Sequence, residues 1–516
     1  MMRKFLKNIY VLMSSPFNKD LTFLMVLSLL VSSPYFCYRT FIDYKGIDDI
    51  VWECAHCYLL CYFASLILYL VPSKLSKIYK VVFYIFAFID FCVESACLLV
   101  TRAPFSREHV QIVMGTNTSE ITEFVKTYFS LSFICSVLVV FCLIITIRVI
   151  EKYLELFASK VEKLLTIFTI ISVLFFTLIK GSDSFNCKFY FKIFEFTSYT
   201  PSPDLREYMK VPERKVEKEL PSNVVIIIGE SFSKHHSSLY GYVKDTNPRL
   251  LSMTKDSSII VYENVFAPAL HTIPCIKSIM STWDISKENS VEWYRCETLI
   301  SLMKALNYKT IWVSNQSPSG LHDNIAAAYA NLCDEVYWIG SKYKGVYKND
   351  YDGELLSFFL SNDIIADNCF VVVHLMGSHV AYGDRYPPSW SFFEESDYDN
   401  IPKHQRKVLC EYDNSILYND YVVSEILGCL DVRDCIALYF SDHGLDLYNS
   451  SDDYFGYGIA SDSTSVAAAE AIPFLVYMSP SIKSRFPKMR DLIISRRNDS
   501  LNTSSLMDFL FELLDN

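Results

Sequence analysis

Along the first third of the chain, hydrophobic positions are continuous rather than periodic. Five apolar runs, Leu21–Phe41, Trp52–Val71, Val81–Thr101, Leu131–Ile150 and Leu164–Ile179, are separated by short polar stretches. Each approaches the length of about 20 residues that a helix needs to cross a bilayer core, so the pattern predicts five membrane helices. Beyond them, Phe185 to Ser222 mixes Pro, Ser, Lys and Glu with aromatics and reads as a bridge. From Asn223 the pattern changes to short runs rich in β-branched residues, alternating with helical stretches. The runs are Val224–Ile228, Ile259–Val265, Thr310–Val313, Phe370–Leu375, Ile436–Phe440 and Phe474–Tyr477. Runs of this length bounded by polar breaks predict buried strands, and their alternation with helices predicts a mostly parallel sheet covered on both faces. The expected organisation is a membrane domain over 1–180, a bridging segment over 181–221 and an α/β domain over 222–516.

Charge gives the membrane helices a direction. The N-terminus carries Arg3, Lys4, Lys7 and Lys19, the second loop Lys74, Lys77 and Lys80, and the fourth Arg148, Lys152, Lys160 and Lys163. The first loop holds Asp43, Asp48 and Asp49 instead. Positive loops stay in the cytoplasm, so the N-terminus is expected there and everything after the fifth helix on the outer side. The second outer loop, Arg102 to Tyr128, has apolar residues at roughly helical spacing and predicts a surface-lying amphipathic piece. Asp90 and Glu94 lie one turn apart in the third run, where acids face a bundle interior or an aqueous cavity.

Composition adds exclusions. The chain is 51% hydrophobic, too apolar for a purely soluble protein, and its net charge of −11 argues against nucleic acid as a partner. Eight of the 16 cysteines precede Glu151 and eight follow it. The later eight face an oxidising compartment in this topology, so disulfides are expected among them.

Candidate chemistry sits where two predicted strands stop. Val224–Ile228 ends in Gly229-Glu230, and Ile436–Phe440 ends in Ser441-Asp442-His443. Ligands of open α/β sheets collect outside the carboxyl ends of strands. Glu, Asp and His delivered to one edge make a mixed oxygen and nitrogen site that suits zinc or manganese. Between the two motifs lies the segment His271-Thr272-Ile-Pro-Cys275. The adjacent His235 and His236 near Glu230 read as surface or supporting residues, and His374, at the end of an apolar run, as structural.

A dispersed, ordered set of motifs runs through the chain: GES…SLYGY…TNP from Gly229 to Pro248, Thr272 with Pro274-Cys275 and Ser281, Trp312-Val-Ser-Asn-Gln316, His374-Leu-Met-Gly-Ser-His379, Cys410-Glu-Tyr-Asp-Asn414, Ser441-Asp-His-Gly444 and Ile472-Pro-Phe-Leu. The outer loop adds Gln111…Thr116-Asn117…Glu120. With these motifs the chain resembles the membrane phosphoethanolamine transferases of the alkaline-phosphatase/sulfatase superfamily. The resemblance implies a multi-domain fold, an N-terminal five-helix transmembrane bundle plus a C-terminal α/β/α sandwich, in a bacterial inner membrane with the catalytic domain in the periplasm. It implies one zinc held by Glu230, Thr272, Asp442 and His443, with Thr272 as nucleophile. The donor would be phosphatidylethanolamine and the acceptor a lipopolysaccharide or lipooligosaccharide glycan, a core sugar or lipid A. His379 would contact the phosphoryl group or act as general acid. Asn117, Glu120, Ser317, Tyr457 and His271 would line the substrate site.

Two positions depart from the family pattern. Relatives place a histidine in the glycine-containing loop after the Asp-His pair, where this chain has Tyr457 in Asp453-Tyr-Phe-Gly-Tyr-Gly458. Relatives of the lipid A type pair the cysteine near the nucleophile with one just upstream; Cys275 has none there, and Cys296 is the substitute partner to consider. Both departures lean toward the core-sugar branch. The competing readings are a phosphoglycerol transferase using phosphatidylglycerol and a non-catalytic membrane scaffold of the same fold.

Overall fold

The computed structural model describes residues 2–38, 40, 47–116, 121–123, 126–127, 131–179, 203–213, 219–287, 291–318, 324–343, 346–348, 350–361, 365–458 and 462–515. The chain divides into two compact units, residues 1–110 with 128–199, and residues 111–127 with 200–516.

The first unit is helical: α1 (Met2–Lys19), α2 (Leu21–Cys37), α3 (Ile47–Leu70), α4 (Ser73–Thr101), the start of α5 (Arg107–Gly115), α6 (Leu131–Val149) and α7 (Glu151–Ile179). The five apolar runs overlap α2, α3, α4, α6 and α7 in turn, with the end of the first run, at Phe41, outside the described residues. Helix α1 lies outside the five predicted runs, in the stretch that carries Arg3, Lys4, Lys7 and Lys19. It meets α2 at a bend of 69°, where the Asp20 carboxylate accepts a hydrogen bond from the Phe23 amide at 3.0 Å and caps α2. Phe23, Leu27, Tyr62 and Phe91 pack inside this unit, whereas Val81, Ile85, Leu138, Phe141, Leu164 and Phe168 stand exposed. So broad an apolar exterior has lipid, not water, as its solvent. Among the described residues, Ser73–Leu98 of α4 is long and apolar enough to cross a bilayer by itself, and α1 with α2 would form a second crossing as one bent pair. Asp90 and Glu94 are both buried within the bundle. One Glu94 oxygen accepts from the Tyr35 hydroxyl and the other from the Phe105 amide at 3.0 Å.

The second unit is built on seven strands: β1 (Asn223–Gly229), β2 (Ile259–Val261), β3 (Lys309–Ser314), β4 (Glu335–Trp338), β5 (Cys369–His374), β6 (Cys435–Ser441) and β7 (Phe474–Met478). Their order is β2-β7-β6-β1-β5-β3-β4. Strands β6, β1, β5, β3 and β4 run parallel, while β7 is antiparallel to β6 and to β2. Alternate residues of β1 enter opposite layers: Val224, Ile226 and Ile228 face one, Val225 and Ile227 the other. The first layer includes α8 (Thr272–Met280) through Ile276 and Ile279. The second includes α9 (Lys403–Cys429) through Ile416, Val423 and Ile426. Both faces are thus covered, which is why the central parallel strands β1, β5 and β6 are buried along their whole length. The expected α/β/α sandwich is present.

Two expectations change. The run Ile259–Val265 is not one strand: Ile259–Val261 pairs with β7, while Asn264–Phe266 leaves to pair with Ser500–Asn502. The chain turns between them at Glu263, whose amide donates to the Arg497 carbonyl at 2.9 Å. The expected disulfides are not found among the described residues, where every cysteine is a free thiol, Cys275 and Cys296 included; Cys187 lies outside them. The geometry explains the clearest case. Cys369 and Cys435 both stand opposite Asn223, on strands flanking β1. Two strand spacings separate them by about 10 Å, beyond the reach of a disulfide. Reducing agent is therefore expected to leave the melting temperature of the purified protein unchanged; a downward shift would reveal a structural disulfide.

Candidate active site

The site follows from strand register. Gly229 at the end of β1 pairs with Ser441 at the end of β6, so the next residues, Glu230 and Asp442, emerge side by side. The Asp442 amide donates to the Gly229 carbonyl at 3.0 Å, and the Ser231 amide returns a hydrogen bond to Asp442 Oδ1 at 3.1 Å. Ser231 adopts φ of +57°, a left-handed conformation costly for a non-glycine residue, which turns the chain back over the sheet edge. His443 follows Asp442; its Nδ1 lies 2.7 Å from the Gly444 carbonyl. That contact places the Nδ1 proton and aims Nε2 at the carboxylates. Nε2 lies 3.3 Å from Glu230 Oε1 and 3.5 Å from Asp442 Oδ2.

Thr272 is the first residue of α8, with its side chain at the helix's positive end. Its Oγ1 lies 3.3 Å from Glu230 Oε2 and 3.3 Å from His443 Nε2. The four residues expected to form the centre therefore meet at one point. Glu230, Asp442 and His443 are fully buried, with one ligand atom from each lying within 4.8 Å of the others. Asp442 Oδ2 accepts no hydrogen bond.

Electrostatics point the same way. Burial opposes charge on Glu230, but the His443 imidazole bonded to it prevails and holds the carboxyl below its usual range. Burial, aided by the Glu230 charge, raises Asp442 to about 7. His443 would be lowered by burial, yet the Asp442 and Glu230 carboxylates outweigh that and raise it to about 9. Two buried carboxylates thus hold a proton on the imidazole between them. A divalent cation answers the same demand better, because it satisfies both charges and the idle Asp442 oxygen at once. The donor set of two carboxylates, one imidazole and one hydroxyl fits zinc.

The surroundings hold Glu230 in place. Ser231 Oγ donates to Glu230 Oε1 at 2.8 Å. Gln316 Nε2 bridges Glu230 Oε2 at 3.3 Å and the Leu375 carbonyl at 2.9 Å. Behind it passes the loop after β5, where Gly377 has φ of +52°. A Cβ there would lie 2.7 Å from the Glu230 carbonyl oxygen and 2.8 Å from its amide nitrogen. Asp352 fixes this loop, accepting from the Met376 amide at 2.9 Å and the Gly377 amide at 2.8 Å. Gly377→Ala is accordingly expected to cost about 1–3 kcal/mol, from left-handed strain and backbone overlap. It should also lower metal occupancy by displacing Glu230. Thermal unfolding and metal analysis of the purified variant check both effects.

A cavity of about 100 Å³ opens onto Thr272, lined also by Glu230, His271, Gln316, His379 and Tyr457. Burial keeps His379 neutral, with its pKa pushed down to about 4. Tyr457 places its ring 5.4 Å from that of His443. Ser317 is buried and supports the wall indirectly: its carbonyl accepts from Asn324 Nδ2 at 2.7 Å, and Asn324 lines the cavity. Asn117 and Glu120 lie outside the described residues. His236 pairs with Asp413 at 2.7 Å in the interior, and His374 with Ser314 at 3.2 Å. Sequence reasoning missed the roles of Gln316, Asn324, Asp352 and Gly377 because none sits at the end of a metal-bearing strand. Gln316 and Gly377 lay within recognised motifs, which was the available signal.

Residues 222–515 match the family model described as Sulfatase. The chain belongs to the sulfatase family. Among curated relatives of this sulfatase-family chain is the phosphoethanolamine transferase EptC of Escherichia coli strain K12, 28% identical over 278 residues, which cover 52% of this chain and 47% of EptC. The chain thus spans about half the length of the curated relatives it matches. The zinc complex of the C-terminal periplasmic domain of Escherichia coli EptC covers 59% of this chain and 86% of that one, at 22% identity and a TM-score of 0.51. The integral membrane lipooligosaccharide phosphoethanolamine transferase A of Neisseria meningitidis covers 96% of this chain and 95% of that one, at 16% identity and a TM-score of 0.64. The fold of a membrane helical domain followed by an α/β domain is therefore shared along nearly the whole chain.

Proposed function

We propose that this chain is a multi-pass inner-membrane enzyme that moves phosphoethanolamine from phosphatidylethanolamine to a lipopolysaccharide or lipooligosaccharide glycan, in two steps through Thr272. The observation that carries the reading is the Thr272 hydroxyl at the N-terminus of α8, within hydrogen-bonding distance of both Glu230 and His443. The alternation of positive loops supports a cytoplasmic N-terminus and a periplasmic second unit.

Glu230, Asp442, His443 and Thr272 would hold zinc, which when bound lowers the pKa of a ligating hydroxyl and neutralises phosphoryl charge. In the first step Thr272 Oγ1 forms a bond to phosphorus and the bond from phosphorus to the glycerol oxygen breaks. The hydroxyl proton leaves toward the Glu230 side, and diacylglycerol departs after taking a proton from solvent. The N-terminus of α8 and the neutral imidazole of His379 face the phosphoryl oxygens and stabilise their charge. In the second step an oxygen of the acceptor, a sugar hydroxyl or phosphate, forms a bond to the same phosphorus, the bond from phosphorus to Thr272 Oγ1 breaks, and Oγ1 regains a proton from the acceptor hydroxyl or from solvent. One site thereby serves two substrates in turn, and ping-pong kinetics follow.

The test is headgroup choice. Purified full-length protein, loaded with zinc, is given fluorescent phosphatidylethanolamine or phosphatidylglycerol in mixed micelles. Diacylglycerol release from phosphatidylethanolamine supports the reading. Release from phosphatidylglycerol alone reassigns the chain to phosphoglycerol transfer, and silence on both removes the enzymatic reading.

A further inference from the structure

The segment 111–127 precedes α6 in the helical part of the sequence, yet it belongs to the second unit. Ile112 and Thr116 of this segment line the cavity at Thr272. Ile112 lies in α5, whose last turn is continued by the Thr116 amide donating to the Ile112 carbonyl at 3.0 Å, and further along the segment Arg385 Nη2 donates to Glu123 Oε2. The pair is withdrawn from water, with the side chains of Arg385 and Glu123 only 4% and 15% exposed. The same nitrogen donates to the Val380 carbonyl at 3.0 Å, the residue after His379. One guanidinium therefore ties Glu123 and the His379 loop together.

The cavity has two characters. Glu230, Thr272 and His379 contribute polar lining, while Ile112, Ile273 and Ile325 contribute apolar lining. The polar lining suits a phosphoryl group. The apolar lining, of which Ile112 is the part carried by the clasped segment, suits the glycerol and acyl root of a lipid leaving group.

We propose that the Glu123–Arg385 ion pair is a specificity clasp: it holds Ile112 and Thr116 as a wall of the cavity and so lets the site prefer a phospholipid diester over a small soluble one. Both residues act through the segment they fix, as positioning residues. The inference rests on the proposed reading of the site. A buried pair is strongly coupled, since losing either partner leaves the other charge unmatched.

The experiment compares full-length protein with Glu123→Gln, Arg385→Gln and the double variant, each with zinc content and melting temperature recorded. Turnover of phosphatidylethanolamine is measured beside that of bis(p-nitrophenyl) phosphate, whose leaving group needs no lipid wall. Each single variant should lower the ratio of lipid to small-diester turnover by about 10-fold or more, chiefly through KM for the lipid, and the double variant should fall no further than the singles. Equal losses on both substrates, an unchanged ratio, or additive effects in the double variant would overturn the clasp. Wild-type protein inactive on both substrates would instead overturn the reading of the site, an outcome readily told apart from the others.

Discussion

Thr272→Ala is expected to abolish transfer while leaving the protein folded and able to bind metal. The hydroxyl lies 3.3 Å from Glu230 Oε2 and from His443 Nε2 at the start of α8, and no other hydroxyl takes that position among the described residues. Removing a nucleophile from a preorganised site costs on the order of 10⁴-fold or more in kcat. Removing its oxygen should cost the fold little, because Thr272 is only partly buried and its backbone, not its side chain, starts the helix. Diacylglycerol release should therefore fall to background at an unchanged melting temperature. Thr272→Ser separates chemistry from packing: it keeps the oxygen and should retain measurable turnover. Equal loss in both variants would point to a packing role for the threonine methyl group.

The second large effect is expected from the strand-end cluster. Asp442→Asn removes a carboxylate that is fully buried and whose Oδ2 accepts no hydrogen bond. Loss of the charge removes the reason for a cation to sit there. Metal affinity should drop by at least the 10–100-fold seen when even supporting residues of a metal site are lost. Elemental analysis after dialysis should show bound zinc falling from near one per chain to a small fraction, and added zinc should no longer raise the melting temperature as it does for a ligand that binds only the folded state. The Asn variant also relieves the crowding of two buried acids, so the metal-free protein should not become less stable than metal-free wild type. Zinc retained at full occupancy would mean that the cation site lies elsewhere.

How much of this was legible in the sequence depended on distance along the chain. Strands β1 and β6 announced themselves as short apolar runs with abrupt polar ends, and because parallel strands in register stop together, Glu230 and Asp442 could be placed at one edge. Thr272 had no such signal of its own; the surrounding motif and its family resemblance supplied it. Strand β4 was missed because Glu335–Trp338 is a half-buried edge strand with mixed polarity. The split of Ile259–Val265 was hidden because Tyr262 extends the apolar run up to Glu263 and Val265 resumes it beyond the turn, which the backbone bond of Glu263 to Arg497 marks. Asp352 and Gly377 carry no local pattern either. Their importance comes from a loop crossing behind Glu230, a contact that periodicity does not encode. The attachment of Glu123 to Arg385 spans 262 positions and was equally invisible.

The central claim is that phosphoethanolamine passes through Thr272. It is tested most directly by incubating zinc-loaded full-length protein with phosphatidylethanolamine and no acceptor, quenching in acid, and measuring intact protein mass followed by peptide mapping. The account predicts a mass increase of one phosphoethanolamine group on the peptide that begins α8, localised to Thr272 and absent from Thr272→Ala. Diacylglycerol released in stoichiometric excess with no adduct at any time, or an adduct mapped to another residue, would contradict it.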